Sequence, residues 1–334
     1  MIDWFRRLLC GGRKRQHGQH EYPMTYDKTM GIPEAVKFAA AVRKRRYADA
    51  ERIYNAATPE LRSVLMQQLS IASVGDDEAV SAWYAAHPTN PVACIQSAHM
   101  MIELAWEKRS DQAAKDVSQG QWMGFHETLR SMQPLLAQVR DVAAADPQAW
   151  IVSIKHQLGL GKDLATATDY FERGCAIAPA HRDLHRTYMN YILPKWYGSI
   201  ECMWGHARHL QETFPETHFE SFVTTAWLEE CVFLGMRGRA DDARAVLDNP
   251  TMREAVIAAY LRTNLQSSKI DDVYALNLFA CAFWRMKRHD LVYDALKRLK
   301  SRYCEGHWYY FSNAFPEGPR SLHSYFLELE AEHG

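Results

Sequence analysis

The stretch 164–179, LATATDYFERGCAIAP, decides the fold. It sets Ala167, Phe171 and Gly174 four and three residues apart and follows them with Pro179. At 3.6 residues per turn these positions share one helix face. Small residues let that face lie close against a neighbouring helix, and the aromatic fills the gap between hairpins. Pro179 then stands where the next helix should open. The same small–aromatic–small spacing recurs at Ala50, Tyr54 and Ala57, and at Ala79, Trp83 and Ala86. Looser echoes are Ala207 with Phe214-Pro215, and Ala243 with Leu247 and Pro250. The anchors Ala167, Ala207 and Ala243 are 40 and 36 residues apart, close to the ~34-residue tetratricopeptide period. Turn residues recur ahead of the anchors: Tyr47-Ala48-Asp49, Asp76-Asp77-Glu78 and Ala240-Asp241-Asp242.

The rest of the chain from Ile32 onward reads the same way. Ala, Leu, Glu and Arg dominate long segments, and the two-residue alternation of strands is nearly absent. Thr58-Pro59, Gly75-Asp76, Pro88-Thr89-Asn90-Pro91, Asp146-Pro147 and Asn249-Pro250 punctuate them. Short breaks make consecutive helices antiparallel neighbours. The expectation is an all-α fold: a right-handed, tetratricopeptide-like superhelix of antiparallel hairpins over 32–330. The polar run 108–120, KRSDQAAKDVSQG, reads as an insert, and 303–334 as a C-terminal cap.

Composition sets the outer limits. The chain has 334 residues, 47% of them hydrophobic and 24% charged, which excludes wholesale disorder. Lys+Arg 39 against Asp+Glu 40 gives a net charge of −1. That balance argues against a dedicated nucleic-acid binder. No apolar run is long enough for a transmembrane helix, and the N-terminus lacks the apolar core of a secretory signal. The seven cysteines, at 10, 94, 175, 202, 231, 281 and 304, form no C-x-x-C pair. They read as reduced thiols in a cytoplasm. Residues 1–31 stand apart: Trp4, Phe5, Arg6, Arg7, Leu8 and Leu9 begin a basic, amphipathic tip. Its plain reading is a frayed tail. Its sharper reading is weak peripheral contact with the inner membrane.

From Trp122 to Gly235 the sequence carries Asp146-Pro147, then Phe171 with Gly174 and Pro179, then Leu193-Pro194-Lys195-Trp196-Tyr197-Gly198-Ser199. Met203 and Ala207-Arg208 follow in the next helix. This pattern resembles a bacterial family of tetratricopeptide-like proteins catalogued as a domain of unknown function. Tyr197 stands where that family carries a small residue. The resemblance implies a helical-repeat fold, a bacterial cytoplasmic origin and no enzymatic activity. Similar members occur near polymorphic toxin or secretion genes.

Motifs for chemistry are missing. There is no Walker-type or dinucleotide-binding glycine loop, and no nucleophile elbow or H-E-x-x-H metal helix. At His126-Glu127 the second histidine is replaced by Arg130. One constellation suggests zinc: His181 and His185 four apart, then Cys202, His206 and His209 four and three apart. In a hairpin turning near Trp196, His185 falls near Ala207 and His181 near Gln211, which would allow a thiolate–imidazole site. The plain alternative is that these histidines cap helices, bond carboxylates or face solvent. His99, on the stripe Val92, Ile95, His99, Ile102 and Trp106, reads as a buried histidine with a hydrogen-bond partner. Arg43-Lys44-Arg45-Arg46 complements a helix C-terminus or holds a phosphate. The aromatic run His307–Phe311, with Trp308, Tyr309 and Tyr310, either caps the last repeat or forms a binding patch.

The functional expectation is therefore a non-enzymatic module, without cofactor, that binds a protein or peptide partner. Lys195, Trp196, Tyr197, Ser199, Trp308, Tyr309 and Tyr310 are its candidate contacts. Two alternatives accompany it: an immunity protein that neutralises one cognate bacterial toxin, and a metal-dependent enzyme built on the His/Cys cluster.

Overall fold

A computed structural model describes residues 31–333 apart from 71, 111, 113, 162, 301, 303–306 and 313–318. Among the described residues the fold is all-α, with no sheet. None of its helices is long and apolar enough to cross a membrane. The tip candidates Trp4, Phe5, Arg6, Arg7, Leu8 and Leu9 lie outside the described residues, as does the side chain of Tyr309. The sequence reads 32–330 as one continuous solenoid. The described residues divide into two compact units, 31–191 and 192–333.

The first unit runs α1 (Pro33–Arg43), α2 (Tyr47–Ala56), α3 (Pro59–Met66), α4 (Asp76–Ala86), α5 (Pro91–Arg109), α6 (Gln119–Ser131), α7 (Gln133–Val142), α8 (Pro147–Leu160), α9 (Leu164–Ile177) and α10 (Arg182–Tyr191). Sequential pairs pack together: α1 on α2, α4 on α5, α5 on α6, α8 on α9. The starts are written locally. Thr58, Asn90, Asp146 and Asp163 accept backbone N–H groups at their N-caps. Pro59, Pro91 and Pro147 follow at the first helical position. Phe38, Tyr54, Trp83, Phe125 and Leu129 fill the core.

The small–aromatic–small spacing buries most of its members, while Ala86 is exposed and Phe171 half-buried. Ala50, Ala79 and Ala167 are buried. A Cβ on Gly174 would stand 2.7 Å from Leu184 Cδ2 and 3.3 Å from Trp150 Cβ, so α8, α9 and α10 approach here because a side chain is missing. Phe171 stacks on Tyr188, with ring centroids 4.1 Å apart.

The second unit runs α11 (Ile200–Thr213), α12 (Ser221–Met236), α13 (Ala240–Asp248), α14 (Pro250–Arg262), α15 (Ile270–Met286), α16 (His289–Leu299), a π-helical turn (Trp308–Ser312) and α17 (Pro319–His333). Here α12 pairs with α11 and α13, and α15 with α16. Trp227, Tyr260, Phe279, Phe283 and Trp308 form its core.

Three hairpins, α1–α2, α12–α13 and α15–α16, share one turn. Arg45, Gly238 and Lys287 take left-handed backbone, with φ of 56°, 74° and 59°. The N–H of Arg46, Arg239 and Arg288 then reaches five residues back, to the carbonyls of Ala41, Leu234 and Phe283, at 2.8, 3.0 and 3.0 Å. This is the helix-terminating arrangement that usually takes glycine. Each of the three arginines also pairs with an aspartate in the first turn of the second helix, Asp49, Asp242 or Asp290.

Candidate functional site

The residues singled out in the second unit fold into its framework. Ser199 caps α11 by accepting the Cys202 N–H at 3.1 Å. Gly198 is obligatory, because a Cβ there would lie 1.9 Å from the Ile192 carbonyl oxygen. Lys195 Nζ is 2.8 Å from Glu229 Oε2 on α12 and also bonds the Tyr310 hydroxyl. Tyr310 in turn donates to Glu229 at 3.0 Å. Burial, and then the charge of Glu229, push the Tyr310 phenol well above its ordinary value. Two segments expected to contact a partner, the 195–199 turn and the aromatic run, are thus stapled to each other. Trp308 is fully buried and donates to Asn277 Oδ1 at 3.2 Å, and Tyr197 is exposed.

The zinc candidates are occupied otherwise. His181 Nε2–H donates to the Pro59 carbonyl at 3.2 Å, and its Nδ1 accepts the Leu184 N–H at 3.2 Å. His185 Nε2 donates to the Pro179 carbonyl at 2.7 Å, with its ring against Phe171. His206 lies edge-on to Phe222, His209 Nδ1 is 3.5 Å from Thr213 Oγ1, and Cys202 is exposed. Among the described residues no group of three His, Cys, Asp or Glu side chains is placed to hold a metal ion.

A different constellation lies in the first unit, on helices stacked about α8. That helix packs against both α5 and α10, and the short helix α3 lies against α8 and α10. Each of the three long helices carries a polar stripe at helical spacing: Gln96, His99 and Glu103 on α5, Gln148 and Lys155 on α8, Asp183, Thr187 and Asn190 on α10. All are buried. Such groups are ordinarily paired, and several here are not. Gln96 Oε1, His99 Nε2, Gln148 Oε1, Thr187 Oγ1 and Asn190 Oδ1 have no hydrogen-bond partner among the described residues. His99 is buried as its apolar stripe implies. Gln148 faces it, but no hydrogen bond of normal geometry forms at Nε2.

Lys155 is the centre of this row. It is 6% exposed and forms no hydrogen bond or ion pair among the described residues. Burial lowers its ammonium to about 8; Asp183 opposes that shift, Arg186 adds to it, and Glu103 opposes it more weakly. Burial also pushes His99 well below its ordinary value, with Lys155 adding to the effect and Asp183 and Gln148 opposing it. At Asp183 burial works upward, yet Arg186, Lys155 and His181 outweigh it and hold the carboxylate low. Arg186 Nη2 lies 2.6 Å from Asp183 Oδ1.

The same helices hold α3. Gln148 Nε2 donates to Ser63 Oγ at 2.6 Å, Gln96 Nε2 donates to the Met66 carbonyl at 3.4 Å, and His181 bonds the Pro59 carbonyl. Arg62 pairs with Asp146 at 3.0 Å, and Val64, Leu65 and Met66 are buried. α3 is a helical segment seated across the polar row.

One signal for this site is present in the sequence. Lys155 is the only formally charged residue in the apolar run 149–160, AWIVSIKHQLGL, and it follows Gln148 by two turns. Glu103 and Asp183 carry no such signal, because each is one carboxylate among many on helices. No family model, curated protein or solved structure matches the chain.

Proposed function

We propose that the chain is a non-enzymatic interaction module whose first unit binds a helical or extended segment of a partner protein across the polar row of α5, α8 and α10. One observation supports this above the others: Gln96 and Gln148 of that row bond a carbonyl and a hydroxyl of α3, a helix of eight residues, and His181 just ahead of α10 bonds a second carbonyl. Recognition of a helix in a groove reuses the same elements: apolar anchors on one face and polar groups that fix register. The buried donors and acceptors left without partners give the surface specificity, since a wrong partner leaves them unpaired.

The test is affinity capture with the full chain, sizing of the complex, and hydrogen exchange on the complex. The reading predicts one stoichiometric partner and slowed exchange over 59–66, 91–109, 147–160 and 182–191. A complex that leaves these segments unprotected, or no complex at all, refutes it. A toxin as the single partner would make the module an immunity protein.

A further inference from the structure

Arg109 ends α5 and is only 3% exposed, yet it forms no ion pair among the described residues. A buried guanidinium is ordinarily matched by an anion. Here two tryptophan rings stand beside it, with the guanidinium carbon 5.6 Å from the Trp106 centroid and 4.7 Å from that of Trp122. Nη1 donates to the carbonyls of Ser110 and Gln112, each at 3.3 Å. Nε is buried and has no acceptor, and no hydrogen bond of this residue uses Nη2. The Nε–Nη2 edge is thus a two-donor fork without an acceptor, the shape that a carboxylate matches. Trp122 links this fork to a second feature. Its ring rests against Arg109, and its backbone lies in the first turn of α6. The N–H groups of Gln119 and Gly120 in that turn have no acceptor among the described residues. A helix start of this kind favours negative charge. It is also open, since a Cβ on Gly120 would meet nothing within 4 Å.

We propose that Arg109, Trp122 and the start of α6 form a binding site for a carboxylate carried on a flat apolar group. The carboxylate takes the Nε–Nη2 fork, where two parallel N–H donors fix its plane. The half-buried Trp122 ring offers the apolar group a face to lie on. The polar stretch after α5 has a part as well. Its carbonyls at Ser110 and Gln112 hold the guanidinium through Nη1 and leave the opposite edge for the ligand. Ser110 does so from a φ of 70° and a ψ of 177°, backbone nearly confined to glycine. The site is separate from the polar row of α5, α8 and α10, and it does not depend on the reading of that row.

The experiment adds benzoate to the full chain at constant ionic strength. Benzamide serves as its uncharged counterpart, acetate as the carboxylate without a ring, and inorganic phosphate as the other oxyanion. The readout is the NMR signal of the Arg109 Nε–H, assigned from its backbone resonances, together with the melting temperature. Benzoate should shift that signal saturably and raise the melting temperature, and benzamide should do neither. Arg109→Lys keeps the charge and loses the fork, so benzoate should bind it roughly tenfold more weakly. Trp122→Leu should weaken benzoate more than acetate, which separates the ring from the fork without touching Arg109. Three results overturn the assignment: no saturable shift at Arg109, an equal shift at the exposed Arg52 and Arg239, or unchanged benzoate affinity in Arg109→Lys. Tighter binding of phosphate than of benzoate would overturn the carboxylate as its ligand.

Discussion

Each unit draws a lysine into its interior, and the two are handled in opposite ways. Lys195 in the second unit has its ammonium on Glu229 at 2.8 Å and on the Tyr310 hydroxyl, with the Tyr310 ring 4.7 Å away. It joins a turn, a long helix and the C-terminal aromatic run. Lys155 in the first unit forms no such bond among the described residues. Burial lowers it to about 8, with Asp183 and Glu103 opposing the shift and Arg186 adding to it. A closed triad of lysine, glutamate and tyrosine is a fastening. A lysine without such bonds fastens nothing. The difference teaches that burial of a charge is uninformative until its partners are counted.

The largest expected effect comes from breaking the closed triad. Glu229→Leu should destabilise the chain by about 3–5 kcal/mol, because it strands the buried ammonium of Lys195. The Glu229→Leu, Lys195→Met double variant should recover most of that loss. Urea unfolding of the single and double variants checks both, and a single variant as stable as the parent would mean that the triad is not a fastening.

The open lysine should respond with the opposite sign. Lys155→Met should stabilise the chain by about 3 kcal/mol at neutral pH, from a pKa lowered from 10.5 to about 8. The sign follows from proton linkage. The folded state binds this proton less tightly than the unfolded state, so the parent carries its full penalty below pH 8. The penalty disappears as pH rises toward 10.5. The gain of the methionine variant should therefore shrink between those values in a melting series. A loss of stability at pH 7 would show that Lys155 has a counter-ion.

Helical glycines sharpen the comparison at smaller magnitude. Gly174→Ala should cost about 1–2 kcal/mol, since its Cβ would press on Leu184 and Trp150. Gly205→Ala on α11, with open space around the new methyl, should gain about 0.5–1 kcal/mol from helix propensity. Equal effects at the two sites, measured by thermal melts, would mean that close helix approach is not what Gly174 provides.

The all-α class and most helix starts are legible because they are local: caps at Thr58, Asn90 and Asp146 followed by proline, and small–aromatic–small spacing for close approach. The shared hairpin turn is half legible. Tyr47-Ala48-Asp49 and Ala240-Asp241-Asp242 mark two of its three copies; Arg45 and Lys287 both take the left-handed position without being glycine, and only Gly238 shows it by residue type. The site is less legible for a reason of distance. Lys195, Tyr310 and Trp308 stand out as residue types, but their partners Glu229 and Asn277 are chosen by packing: Glu229 lies 34 residues from Lys195, and Asn277 lies 31 from Trp308. The row of Gln96, His99, Gln148, Lys155 and Asp183 spans three helices; His99 on its apolar stripe and Lys155 in its apolar run are the members that the sequence marks. What singles out Gln96 and Gln148 is a buried side-chain oxygen without a partner among the described residues, a property of the folded chain.

The most direct test of an open, buried amine is an NMR titration of the lysine side chains, with Lys155 assigned through the Lys155→Met variant. A midpoint near 8 is expected for Lys155. A midpoint at the ordinary lysine value of about 10.4 would contradict this, and would show that burial does not weaken the hold of this amine on its proton.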